Sequence, residues 1–279
     1  MSVRLELVDE VAVLSWHRRS RHNALDLGMI AALGDRLADL ERRPPRALVL
    51  WGEGGDFSAG ADLNDVRALA GAGRGEALAY SRRVQALTAA VEAVRAPSVA
   101  AIEGVCLGLG LEIALGASLR VAAADARLGL PEMAHALYPA AGGTARLAEQ
   151  VGEGRARAMM LEARVIAADE AHAIALVERV CAAGEARETA LAWARRAAAA
   201  GEAPARLLAA RRVARGEAFA LALAAEREGF ADLVTSTAAV SRLDAFLARR
   251  RRSGAGVPAD DGARARQGRD GPSGREEEA

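Results

Sequence analysis

Two short runs of uninterrupted apolar residues, Ala47 to Trp51 and Val99 to Ile102, constrain this chain more than any other feature. A third strand-like run, Leu119 to Ala123, follows. Such runs are too short to be independent helices. Their lack of alternation fits strands buried on both faces, the usual state of a parallel sheet. Between them the apolar period becomes helical. Asp26 is a plausible N-cap for a helix reaching Arg43, with Ile30, Leu33, Leu37 and Leu40 on one face and Pro44-Pro45 as its stop. A long helix is predicted from Glu76 to Val94, after a break at Gly71 to Gly75. Strands alternating with helices in this way predict βαβ units and an α/β fold.

The flanks follow other patterns. Residues 3–8 and 11–16, separated by Asp9-Glu10, read as a hairpin or two short strands. From about Gly142 the pattern is almost entirely helical, with one short break at Val177 to Val180. Between Glu217 and Arg250, residues Phe219, Leu223, Phe230, Leu233, Leu243 and Phe246 recur at roughly helical spacings. That stripe is either intramolecular core or a subunit contact. After Arg249-Arg250-Arg251-Arg252 the chain becomes rich in Gly, Pro, Arg and Asp, a composition expected to be disordered.

Composition removes several functional classes. Thirty-seven basic residues balance 37 acidic ones, which argues against nucleic-acid binding by bulk charge. Every basic residue is Arg, so lysine Schiff-base chemistry is excluded. The apolar share is 52% and the aromatic share 3%, so Leu, Val and Ala must fill the core. Cys106 and Cys181 lie in apolar runs and read as buried, reduced thiols. His17, His22, His135 and His172 lack metal-ligand spacing, so no metal is expected. No apolar signal core opens the chain, and the longest apolar stretch, Cys106 to Leu119, is broken by glycines and Glu112. It falls short of the ~20 residues a membrane span needs. A soluble, cytoplasmic protein without a membrane partner is the expectation.

Two carboxylates stand out within this apolar background. Glu112 closes the stretch from Gly104, and Glu132 follows Leu130-Pro131. A charged, unpaired carboxylate in such surroundings is costly, so a partner or a task is expected. Two of them could divide acid and base work. Two strand–loop–helix junctions, Gly54 to Leu63 and the one around Gly108-Leu109-Gly110, could each aim a backbone N–H at one shared oxygen. The plainer reading is glycine used for turns. Gly108-Leu109-Gly110-Leu111-Glu112-Ile113 is a poor dinucleotide fingerprint, and no Walker or GxSxG motif occurs.

Phe57-Ser58-Ala59-Gly60-Ala61-Asp62-Leu63, Gly104 through Glu112, and Pro131-Glu132 followed by Pro139-Ala140-Ala141-Gly142-Gly143-Thr144 resemble the signature blocks of the crotonase superfamily, the enoyl-CoA hydratases and isomerases. Arg18 with Asn23-Ala24-Leu25 and the Ala96-Pro97 step extend the resemblance, which covers about residues 3–250. It implies a spiral of ββα units over residues 1–195 and a helical trimerisation region over 196–250, beside the disordered tail that composition marks over 251–279. It also implies an oxyanion hole from the N–H groups of Ala61 and Leu109, with Glu112 and Glu132 orienting water for addition to a 2-enoyl-CoA. Arg18, Arg21, Ala24, Ala59, Asp62, Leu63 and Ala140 are the expected substrate-binding residues. Coenzyme A would enter as part of the substrate, with no separate cofactor, and the assembly would be a homotrimer or a dimer of trimers.

The chain departs from the family pattern in places. Leu109 and Ala140 stand where glycine is usual, Ser118 where aspartate is frequent, and Asn64 where a basic residue is common. Three readings stay open: a hydratase, a 3-enoyl-CoA/2-enoyl-CoA isomerase or other specialised family enzyme, and a non-catalytic acyl-CoA-binding or scaffold protein.

Overall fold

The computed structural model describes residues 2–253. Strands β1 (Ser2–Val8) and β2 (Val11–His17) pair as the expected antiparallel hairpin. Helix α1 (Leu27–Arg42) starts where Asp26 accepts the Met29 N–H at 2.9 Å. Strand β3 (Ala47–Gly52), helices α2 (Leu63–Ala72) and α3 (Arg74–Ala93), and strand β4 (Ser98–Ile102) follow, with the α2–α3 break at Gly73. Then come β5 (Val105–Leu107), α4 (Leu109–Gly116), β6 (Leu119–Ala123) and β7 (Arg127–Gly129). The rest comprises α5 (Gly143–Val151), α6 (Glu153–Leu161), β8 (Val165–Ala167), α7 (Ala168–Ala173), β9 (Arg179–Cys181), α8 (Ala186–Ala198), α9 (Ala203–Val234) and α10 (Thr237–Ser253).

Six strands form the main sheet in the order β1-β2-β3-β4-β6-β9, parallel from β2 onward. A smaller sheet runs β5-β7-β8. Each turn of the chain repeats one path: a strand of the main sheet, a short extended segment beside it, then a helix. After β4 the extended segment is β5, and after β6 it is β7. After β3 it is a bridge from Ser58 to Cys106, and after β2 a bridge from Leu25 to Ala61. This is the expected spiral of ββα units.

Successive side chains on a strand point to opposite faces, and here both faces are covered. Val13, Val49, Val99, Ala101 and Val121 pack on one side against Ala190, Leu191 and Ala194 of α8. Leu14, Leu48, Leu50, Ala100 and Ile102 face the other way into the main core with α1 and α3. That double burial is why β3 and β4 read as continuous apolar runs. β6 carries Arg120, buried and bonded to the carbonyls of Leu176 and Ala117 and to Glu178, so its charge is satisfied inside.

Strands β5, β7 and β8 were not legible as separate elements, because three residues are too few to establish a period. The Phe219–Phe246 stripe divides between α9 and α10. Phe230 and Leu243 are buried within the chain, Phe246 is half-buried, and Phe219 keeps partial exposure. The expected boundary at residue 195 falls inside α8, and the chain expected to be disordered from Arg251 is still helical through Ser253. The remainder of that expected tail lies outside the described residues. Among the described residues, no helix is long and apolar enough to cross a membrane.

Candidate active site

Asn23 organises the first junction. Its amide donates to the carbonyls of Glu53 and Asp56, and its Oδ1 accepts the Arg18 N–H at 2.7 Å. Ser58 Oγ donates to the Asn23 carbonyl and accepts the Gly60 N–H. The Leu25 N–H donates to the Gly60 carbonyl and the Asp62 N–H to the Leu25 carbonyl, both at 2.8 Å. Ala61 is thereby held between two fixed neighbours, and among the described residues nothing accepts its own N–H.

The second junction touches the first. Gly60, at φ +94°, passes so close that a Cβ there would lie 2.7 Å from the Leu107 carbonyl oxygen and 3.3 Å from the Leu109 nitrogen. Leu109 is the first residue of α4, where an N–H has no intrahelical acceptor. No described group accepts it otherwise. Two unengaged donors thus flank one close approach of the chain, one of them at the positive end of a helix dipole. Leu109 does not adopt positive φ, so its side chain costs no backbone strain and packs into the core.

Glu112 sits one helical turn after Leu109 and is buried. Its Oε1 accepts the N–H groups of Ala141 and Gly143 at 2.7 and 2.8 Å. Burial pushes its carboxyl well above the ordinary range, and the charges of Glu226 and Glu132 add to that, against the two N–H donors. Glu132 lies in the short 3-10 turn Pro131–His135. Its Oε1 comes within 3.0 Å of where a Gly108 Cβ would stand, and its Oε2 is buried without a partner among the described residues. Burial raises its pKa to about 8, opposed by its own backbone N–H and assisted by Glu226.

Both carboxylates and both donors line one cavity of about 1240 Å3. Val66, Tyr80, Val84, Leu137 and Phe230 give it an apolar end, with Tyr80 and Phe230 stacked at 5.9 Å. Burial, and then the charges of Glu112, Asp65 and Asp62, push the Tyr80 hydroxyl well above its ordinary range, so it stays protonated. Arg21, Arg242, Arg249, Arg250 and Arg252 line the same cavity and bring positive charge to it. Of the expected binding residues, Arg21, Ala24, Ala59, Asp62, Leu63 and Ala140 line it too.

Arg18 is not among the lining residues. Its guanidinium is engaged by Asp62 at 2.8 Å, the Ala24 carbonyl at 3.0 Å and Asp26 at 3.6 Å. Asp62 in turn caps α2 by accepting the Asn64 N–H. Burial pushes the Asp62 carboxyl up, but Asn64 and Arg18 outweigh it and hold it below its ordinary value. Arg18 therefore braces the loop around Ala61 and does not face the cavity.

Tyr80, Phe230 and the α10 arginines escaped reading as site residues because they come from helices distant in sequence, and His135, which closes the turn holding Glu132, has no spacing signal of its own. Glu226 escaped too, although a signal existed. It falls at helical spacing between Leu223 and Phe230, a charge on an otherwise apolar stripe.

The comparisons with known proteins give the chain a family. The family model for enoyl-CoA hydratase/isomerase matches residues 6–253. A probable enoyl-CoA hydratase of Bacillus subtilis is 36% identical over 171 residues, 61% of this chain and 65% of that protein. A crotonyl-CoA hydratase of Syntrophomonas wolfei is 34% identical over 172 residues, with the same shares. A peroxisomal fatty acid beta-oxidation multifunctional protein of Oryza sativa is 38% identical over 149 residues, 53% of this chain but 20% of that protein. The chain thus spans from a fifth to just under two thirds of these relatives. Among solved structures, Pseudomonas aeruginosa DspI is 35% identical with TM-score 0.71, covering 83% of this chain and 94% of that one. A putative enoyl-CoA hydratase/isomerase from Acinetobacter baumannii is 25% identical with TM-score 0.77, covering 88% and 98%. With its spiral fold, its two facing junctions and a family match across nearly its whole length, the chain belongs to the enoyl-CoA hydratase/isomerase family.

Proposed function

We propose that the protein is an enoyl-CoA hydratase, adding water across the double bond of a 2-enoyl-CoA thioester. The observation that carries this reading is the convergence of two buried glutamates and two unengaged N–H donors on one cavity. The N–H groups of Ala61 and Leu109 donate to the thioester oxygen, which accepts from both. Polarising that carbonyl makes carbon 3 electrophilic and stabilises the enolate as it forms. Retaining two carboxylates fits hydration, which needs both a base for water and an acid for carbon 2.

The environments of the two glutamates support a division of labour. Glu112 takes the base role toward water: its two N–H donors favour the ionised form, against the upward push of burial and of the Glu226 and Glu132 charges. Glu132, with an unpartnered buried oxygen, favours its protonated form and serves as the acid toward carbon 2. The acyl chain occupies the apolar end beside Tyr80 and Phe230, and the coenzyme A phosphates meet Arg21 and the α10 arginines. No separate cofactor is required by this chemistry.

Assembly as a trimer accompanies this reading. Leu207, Val213 and Leu221 of α9 are 63%, 81% and 66% exposed, more apolar surface than a solvated helix favours.

The test is a panel of 2-enoyl-CoA and 3-enoyl-CoA esters in heavy-oxygen water, with product identification. Hydration predicts loss of the conjugated thioester absorbance and labelled 3-hydroxyacyl products. Unlabelled 2-enoyl products from 3-enoyl esters would instead establish the isomerase reading. No turnover of any ester would sink both.

A further inference from the structure

The turn into α5 and the helix's first two residues present four successive backbone N–H groups, and two different carboxylates divide them alternately. Glu112 Oε1 takes those of Ala141 and Gly143. Glu226, on α9, takes the intervening pair. Its Oε1 accepts the Gly142 N–H at 2.6 Å, and its Oε2 accepts the Thr144 N–H at 3.0 Å together with the Thr144 hydroxyl. Glu226 is buried, and its surroundings are built around it. Gln85 of α3 bonds Oε1 at 3.3 Å and the Leu223 carbonyl at 2.8 Å. Tyr138 donates to the Glu226 carbonyl at 3.1 Å. Gly229 has no Cβ to offer, and one there would stand 1.6 Å from the Tyr138 hydroxyl.

We propose that Glu226 is a positioning residue of the acid–base centre, clamping the turn before α5 so that its alternate N–H groups aim at Glu112. It touches neither reacting atom. It acts through the backbone of the turn, and through the charge it places beside Glu112. Helix α9 thereby becomes part of the catalytic frame, and a residue remote in sequence governs the ionisation of the one on α4.

The electrostatic side has a definite sign. The Glu226 charge is the largest contribution after burial to the upward push on Glu112. Burial raises Glu226 itself, opposed by Thr144, Gly142 and Gln85. The other charged or titratable groups facing this region are Glu132, Arg146 with its partner Glu92, Tyr138, and Arg227 through Gln85. Removing the Glu226 charge leaves Glu112 easier to ionise.

The kinetic part of this inference rests on the hydratase reading, but its main test does not. In Glu226→Gln, carboxylate-carbon NMR of the unliganded protein, with the Glu112 signal assigned from Glu112→Gln, follows the Glu112 titration. The expected result is a midpoint shifted to lower pH. With an active ester, kcat falls up to about 100-fold, the scale of a misplaced catalytic group, and the acid limb of the rate profile moves the same way. A Glu112 midpoint equal to wild type overturns the proposal, because a purely structural role leaves it in place. If wild type turns over no ester while the midpoint still moves, the hydratase reading fails and the positioning role stands. Should Glu226→Gln not fold, Thr144→Ala removes a single hydroxyl tether. Faster amide hydrogen exchange at Ala141 and Gly143 is then expected, and unchanged protection there overturns the proposal.

Discussion

At the scale of single residues, the two glutamates of the cavity differ more in environment than in type. Glu112 is held by backbone donors, whereas one oxygen of Glu132 has no described partner. Replacing either with Gln is expected to lower kcat by about 10²- to 10⁴-fold, the usual scale for a general acid or base, while the fold survives. Turnover of the best 2-enoyl-CoA ester checks this. Glu132 also makes a thermodynamic prediction. Its folded pKa, about 8, lies above its ordinary value of 4.5, so the folded state binds more protons across that window. Its contribution to stability is fully present below about 4.5 and is lost as pH rises through about 8. Denaturant unfolding at several pH values reads that decline, and Glu132→Gln flattens it. The two carboxylates were legible in sequence because charge amid Leu and Gly is conspicuous. Their partners were not, since Ala141 and Gly143 act through backbone atoms that carry no residue signature.

At the scale of elements, helix α4 carries one unengaged N–H donor and one glutamate, and its entry depends on Gly108. That residue has φ +51° and ψ −126°, a conformation open essentially to glycine. Gly108→Ala would add about 1–3 kcal/mol of strain and bring a Cβ within 3.0 Å of Glu132 Oε1. Lower stability together with lower kcat is expected, measured by thermal unfolding and turnover. Leu109→Ala keeps the donor and empties part of the wall. It should cost about 2 kcal/mol or more of stability and shift preference toward bulkier acyl chains, read as the kcat/KM ratio between two esters. The sequence marks this junction as strand–loop–helix, with leucine where glycine is usual. Leu109 is absent from the positive-φ residues, so as the first residue of a helix it takes a side chain without backbone strain.

At the scale of the whole molecule, α9 and α10 return to the cavity from the far end of the chain. Phe230 supplies apolar wall, Glu226 the second clamp on the turn, and α10 the arginines. Leu207, Val213 and Leu221 of α9 turn outward instead. Sedimentation is expected to give three times the chain mass or a multiple of it. Val213→Arg should dissociate the assembly, because a buried unpaired charge at an interface is strongly unfavourable. A wild-type monomer at micromolar concentration would refute the assembly.

By itself the sequence determined the main-sheet strands other than β9, the N-capped first helix, the glycine junctions and the conspicuous carboxylates. Each of these is written in local period or local composition, and a parallel strand buried on both faces can hardly hide its pattern. Only the tertiary structure decided that Arg18 braces a loop, that three-residue strands build a second sheet, and that Glu226 shares the turn before α5 with Glu112. Those outcomes depend on which distant segments pack together. A hydrogen bond from a backbone N–H to a carboxylate 82 or 84 residues further along the chain leaves no trace in either local pattern.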